Sequence, residues 1–353
     1  MCRLFKKKRA IFSCSLIVCF LVFYSASYVW SNDTEHAFKQ SETTLDPKDP
    51  AAWQSFWFDQ RRAIKNDAQP AQRKEPKTKL PPLPKEKRGI IRNVTPFNGE
   101  KTVALTFDLC ELDTVTTGCD MEVLGYLHSE HLPATLFMGG KWMRTHTNRV
   151  MQLMQEPLFE IANHAWSHGN AALLSKEGLR AQVLWTQAQY EIIREKVLQN
   201  AHTGVNTESI PPVPVLFRLP YGRSSEQALE EIANLGLFVV QWDVVAEGGA
   251  IRTPSQAKKC AARLLPTIHP GSILLFHANC VPQGTSLLLK EIVDALKEKG
   301  FGFCTVTELL KRGKQNTVSD GYFVRPLDNR ALDTRFGIDG TGRKQPFLGK
   351  ERF

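Results

Sequence analysis

From residue 100 onward, short apolar runs alternate with longer helical patterns, and this alternation limits the fold more than any other feature of the chain. Strand-like runs occur at 102–107, 134–138, 159–162, 215–219, 238–242, 272–276 and 302–306. Helical patterns lie between them at 120–130, 148–155, 175–199, 225–235, 254–264 and 284–299. Strand–helix repetition predicts a parallel sheet with helices outside. Seven strands in roughly 210 residues predict an α/β fold, a distorted seven-stranded (β/α) barrel, one strand short of the usual eight. A chain of 353 residues can bury a core of that size without a disulfide or metal staple.

The first 95 residues read differently. They hold 18 of the 45 basic and 9 of the 36 acidic residues, which leaves 27 of each sign in the remainder. The excess positive charge therefore belongs to the N-terminal region. That placement argues against a nucleic-acid-binding domain and for a tether near an anionic membrane. Lys6, Lys7, Lys8 and Arg9 precede an apolar run from Ala10 to Trp30, about the 20 residues that a membrane-crossing helix needs. The basic block predicts a cytoplasmic N-terminus and a body in the periplasm or outside the cell. A cleaved signal, which would leave the body secreted, is the rival reading. Ser25, Ala26 and Ser27 supply small residues for cleavage, but the run is long for a signal.

The expected organisation is thus an anchor or signal segment over 1–30, a Pro/Lys-rich linker over 31–95, the barrel domain over 96–312 and an extended tail over 313–353. The stretch 51–58, with Trp53, Phe56, Trp57 and Phe58, reads as a short amphipathic helix within the linker. Cys110, Cys119, Cys260, Cys280 and Cys304 lie in the body. Export would put them in an oxidising compartment. Cys110 with Cys119, and Cys260 with Cys280, are candidate bridges, and the odd count leaves one over. No spacing among them has the pattern of a thiolate zinc site.

Active sites of such barrels sit at the C-terminal ends of the strands. Asp108 ends the first strand, His164 and His168 follow the third, Arg218 and Tyr221 end the fourth, Trp242 and Asp243 the fifth, and His277 the sixth. On one turn of helix, the spacing of His164 and His168 puts both rings on one face. Two neutral imidazoles so placed can each give a nitrogen to one divalent metal, zinc foremost. One polar residue at a strand end is most often a cap or turn former; a set of this composition on one rim is a site.

In this order, the motifs Thr106-Phe107-Asp108, His164-x-x-x-His168, Arg218-x-Pro220-Tyr221, the Trp242 strand end and Leu275-Phe276-His277 resemble those of the polysaccharide deacetylase (NodB-homology) family, carbohydrate esterase family four. The resemblance spans about residues 100–312 and its strength lies in five motifs in register. It implies metal-dependent hydrolysis of an N-acetyl or O-acetyl group on an amino-sugar polysaccharide such as peptidoglycan or an exopolysaccharide. Asp108 would be the general base, held ionised by Arg218, and His277 the general acid. The backbone N–H of Tyr221 would stabilise the oxyanion. His164 and His168 would be metal ligands, and Trp242 and Asp243 would face substrate.

Two departures stand out. The family's second Asp, a metal ligand, is replaced by Leu109. The third ligand then falls to Asp120 first, Glu111 second and Asp113 third, or to water. The carboxylate that orients the acid histidine falls near Gly248, so Asp243 or Glu247 must substitute. A non-catalytic glycan-binding module and a hydrolase of another amide or ester are the alternatives. Nothing in the sequence bears on oligomeric state.

Overall fold

A computed structural model describes Asn66 and residues 69–200 and 209–340. The expected anchor, most of the linker with its 51–58 helix, and the end of the tail lie outside these residues. No helix among the described residues is long and apolar enough to cross a membrane.

All seven expected runs are strands: β2 (Thr102–Leu109), β3 (Ala134–Met138), β4 (Phe159–Asn163), β5 (Leu216–Phe217), β6 (Phe238–Val240), β8 (Ile273–His277) and β9 (Gly302–Cys304). Pairing between them is parallel throughout, as helical crossovers require. Six helices fall where the periodicity put them: α1 (Met121–Ser129), α3 (Thr147–Met154), α4 (Lys176–Asn200), α5 (Glu226–Asn234), α6 (Pro254–Leu264) and α7 (Thr285–Glu298), with the short α2 (Gly140–Thr145) added after β3.

One strand run changes partners along the sheet. β6 pairs with β5, and four residues later β7 (Val244–Val245) pairs with β8. One run of chain thus pairs at both ends of the parallel part of the sheet, which forms a half-barrel. β1 (Ile90–Pro96) and β10 (Gly313–Val318) extend the sheet beyond it as an antiparallel pair, with β1 laid parallel to β6. The sheet therefore begins six residues before the boundary expected at 96. It also takes in residues assigned to the tail. β1 belongs because Ile90, Ile91 and Val94 are buried. β10 is an edge strand of half-exposed Lys, Gln, Asn and Thr, so it carries no apolar signal. Gly271 lets β1 approach β8: at φ +84° a Cβ there would stand 1.7 Å from the Val94 carbonyl oxygen.

Strand alternation divides the core into two layers. Val103, Leu105, Phe107 and Leu109 of β2 pack outward against the helices, where Phe107 stacks on Phe276 at 5.3 Å. Ala104 faces the barrel interior with Phe137, Ala162, Leu216, Trp242 and Leu275. Asp108 shares the parity of Ala104, so β2 delivers its carboxylate to the interior at the C-terminal rim.

Candidate active site

Register brings the expected base and acid together. Asp108 is directly paired with His277 across β2 and β8, and with Phe137 across β2 and β3. Arg218 follows β5 and is fully buried. Its Nη1 donates to Asp108 Oδ1 at 2.8 Å, Nε to the Val240 carbonyl at 3.3 Å and Nη2 to the Gln241 carbonyl at 3.2 Å. The guanidinium also lies 3.8 Å from the Phe137 ring centroid. Burial alone would favour a protonated Asp108, but the facing His164, Arg218 and His277 outweigh it and hold the carboxyl below the usual range.

His164 and His168 do not sit on a helix. The chain after β4 is a loop, with left-handed backbone at Ala165 (φ 62°) and His168 (φ 59°). The two rings still converge, 5.0 Å apart and edge to face. The loop is fastened to the end of β3: Met138 accepts from the His164 amide, and Ala165 and Trp166 carbonyls accept from Gly140 and Lys141. His164 Nδ1 lies 3.0 Å from the Arg218 carbonyl oxygen, which only accepts, so this nitrogen carries the proton. Nε2 then presents its lone pair, 3.4 Å from Asp108 Oδ2. Burial pushes both imidazoles below the ordinary histidine range, His168 furthest. Neutral rings of this kind are what a metal requires.

The expected third ligands are spent elsewhere. Asp120 caps α1, accepting from the Val123 amide. Glu111 turns to the Thr145 hydroxyl at 2.9 Å, the Thr117 amide at 3.2 Å and Lys141 Nζ at 3.7 Å. Asp113 gives its backbone carbonyl to Lys141 Nζ at 3.2 Å, and its carboxylate is not in the donor group with the two imidazoles. Among the described residues, the group of three donors able to hold one metal ion is Cys110, His164 and His168, with ligand atoms all within 4.8 Å of one another. His164 Nε2 and His168 Nδ1 are buried and unpartnered. Buried polar atoms without partners in a donor cluster fit a cation. The bridges expected from Cys110 to Cys119 and from Cys260 to Cys280 are not formed, since Cys110, Cys119 and Cys260 are thiols.

His277 finds its orienting carboxylate in Glu247, whose Oε2 lies 2.5 Å from Nδ1; the Thr285 hydroxyl donates to the other oxygen. Burial opposes the imidazolium, but Glu247, then Asp108, outweigh it and raise His277 above the ordinary histidine range. Asp243 is not part of the site. It accepts from the Ile273 amide at 2.7 Å and the Ser272 hydroxyl at 2.9 Å, at the other end of β8, about 13 Å from His277 at strand rise. Trp242 is buried too, its Nε1 donating to the Phe323 carbonyl at 3.1 Å. The Trp242 ring lies 5.5 Å from the Arg218 guanidinium, behind the Asp108 pair.

Tyr221 lies in the 3-10 turn Pro220–Gly222 with φ 57°. The Asn329 side-chain amide holds the turn through the Tyr221 and Gly222 carbonyls at 3.1 and 2.8 Å. The Tyr221 ring meets His168 edge to face at 4.3 Å and stacks on Phe336 at 5.4 Å. Phe336 belongs to α8 (Ala331–Phe336), in the stretch expected as an extended tail. Asp333 locks it down, accepting from Arg223 at 2.8 and 2.6 Å and from Asn170 at 2.9 Å. The C-terminal strap is thus a wall of the crevice that no strand-end motif signalled.

Residues 97–240 match the family described as polysaccharide deacetylase. The chitooligosaccharide deacetylase of Rhizobium leguminosarum bv. phaseoli is 25% identical over 213 residues, 57% of this chain and 83% of that protein. A peptidoglycan-N-acetylglucosamine deacetylase of Bacillus cereus is 28% identical over 228 residues, 62% of this chain and 72% of that one. Among solved structures, a peptidoglycan N-acetylglucosamine deacetylase shares the fold, with TM-score 0.51 and 24% identity over 65% of this chain and 97% of that one. Over residues 97–240 the chain is thus similar to the polysaccharide deacetylase family.

Proposed function

We propose that this chain is a metal-dependent hydrolase that removes N-acetyl or O-acetyl groups from an amino-sugar polysaccharide, with peptidoglycan and exopolysaccharides the foremost substrates. The observation that carries the reading is one crevice holding an arginine-paired aspartate, two neutral buried imidazoles and a carboxylate-backed histidine. The chitooligosaccharide and peptidoglycan relatives support the choice of an acetylated amino sugar. His164 and His168 would hold a divalent cation, which would supply Lewis acidity.

The chain's own groups divide the proton work. Asp108, kept ionised by Arg218, takes the proton from the attacking water. His277, kept cationic by Glu247, gives a proton to the leaving amine or alcohol, so acetate departs from a neutral sugar product. The left-handed turn at Tyr221 offers its amide to the developing oxyanion, a role fixed backbone donors fill without reorganisation. The strap residue Phe336 closes the crevice beside Tyr221 and His168. We place the body outside the cytoplasm, tethered by the apolar run that follows Lys6–Arg9.

The test is acetate release from N-acetylglucosamine oligomers, peptidoglycan fragments and acetylated exopolysaccharides, with zinc and with a chelator. Zinc-dependent release from one of them is expected. Release indifferent to chelation removes the metal from the reading, and silence on every acetylated glycan removes the activity.

A further inference from the structure

We propose that Cys110 provides the third protein ligand of the metal site as a thiolate, giving a His164–His168–Cys110 donor set in place of a carboxylate ligand. The proposal rests on the metal-dependent reading above and deepens it.

Strand parity makes Cys110 the candidate. β2 stays regular through Leu109, so successive side chains alternate faces. Leu109 is fully buried in the outer layer against the helices, and a ligand at that position would point away from His164 and His168. Position 110 returns to the face of Asp108. The Cys110 sulfur accordingly lies within 4.8 Å of the ligand nitrogens of both histidines, while Glu111 points to Lys141 and Thr145.

The surroundings hold the cysteine in place. Its carbonyl accepts from the Thr117 hydroxyl at 2.8 Å and the Asn279 side-chain amide at 3.0 Å. The same amide nitrogen lies 3.8 Å from Sγ, so it can donate to a sulfur anion. His164 is fixed from behind by the Arg218 carbonyl, which aims Nε2 forward. Two unpartnered buried nitrogens and a positioned sulfur are a donor set for a borderline-soft ion of tetrahedral habit. A thiolate in that set favours zinc or cobalt and disfavours magnesium and manganese, which prefer oxygen.

The experiment uses the full-length chain, stripped of metal and titrated with Co²⁺ alone. The wild type should show visible d–d bands of a low-coordinate site and a near-ultraviolet thiolate-to-cobalt charge-transfer band. Cys110→Asp should keep the visible bands and lose the charge-transfer band. Cys110→Ala should lose the band and weaken zinc retention by more than about 100-fold, above the span for losing a group that only supports a ligand. Alkylation mapped by mass spectrometry gives a second readout on unmodified sequence. Zinc should protect Cys110 in the wild type and fail to protect it in His164→Ala, with Cys260 and Cys304 alkylated alike in both. Cobalt binding without a charge-transfer band, or a band that survives Cys110→Ala, overturns thiolate ligation and leaves the hydrolase reading standing. A wild type that binds neither cobalt nor zinc overturns both.

Discussion

Glu247→Gln tests the proposed acid with little disturbance of packing. Glu247 is buried, with one oxygen 2.5 Å from His277 Nδ1 and the other accepting from Thr285. Glutamine keeps the shape and an acceptor oxygen but removes the charge. A hydrogen bond to a charged group contributes about 1.5–3 kcal/mol. With a factor of ten for each ~1.4 kcal/mol, the imidazolium is disfavoured roughly ten- to 150-fold against the neutral ring. Wild-type His277 is raised above the ordinary histidine range, so it stays protonated to higher pH than a free histidine. In the variant the alkaline limb of the kcat/KM profile moves to lower pH. Acetate release should approach the wild-type rate at the acid end and fall by about ten- to 150-fold beyond the new limb. Stability follows the same sign. The pair's contribution is present in full below the ordinary histidine value and is lost as pH rises through the raised one, so the variant's deficit is largest in acid. A uniform rate loss with the limb unmoved would show that Glu247 only holds the ring. An unchanged profile would remove His277 as the acid.

Asp108→Asn should lower kcat by about 10²–10⁴-fold, the span of general-base catalysis, while circular dichroism stays native; retained turnover removes Asp108 as the base. His168→Ala should lower bound zinc measured by elemental analysis, and unchanged stoichiometry ends its assignment as a ligand. Phe336→Ala removes a buried ring that stacks on Tyr221. It should cost about 3 kcal/mol, on the order of 10 °C in thermal denaturation. A melting curve like the wild type's would show that the strap does not brace the crevice.

The strand runs were legible because each is a short apolar stretch between helical patterns, and all seven are strands. Asp108, His164, Arg218 and His277 were legible because parallel strands deliver their last residues to one rim. Other parts follow from partner geometry rather than local pattern. β10 is polar because it lies on a sheet edge, so no apolar signal announces it. Trp242 and Asp243 were expected beside substrate, but Trp242 is buried against Arg218 and Asp243 binds the start of β8. His164 and His168 converge through left-handed loop residues, not through helical spacing. Cys110 was passed over because cysteine spacing alone shows no thiolate site, whereas counting parity from Asp108 along β2 reaches it.

The proposed proton-handling groups and the proposed metal donors are held by different parts of the fold. Asp108 and His277 are registered partners on adjacent parallel strands, so their separation is set by the sheet and changes only if the barrel opens. His168 and Tyr221 lie on loops at positive φ, a conformation that costs of order 1–3 kcal/mol per residue and persists only when the surroundings enforce it. Here the enforcing contacts are the edge-to-face packing of the two rings on each other, the Phe336 stack and the Asn329 clamp on the Tyr221 turn. Two of these three come from the strap, beyond the last barrel strand. The geometry of the proposed cation site and oxyanion donor therefore depends on the C-terminal strap, while that of the proposed base and acid is set by paired strands.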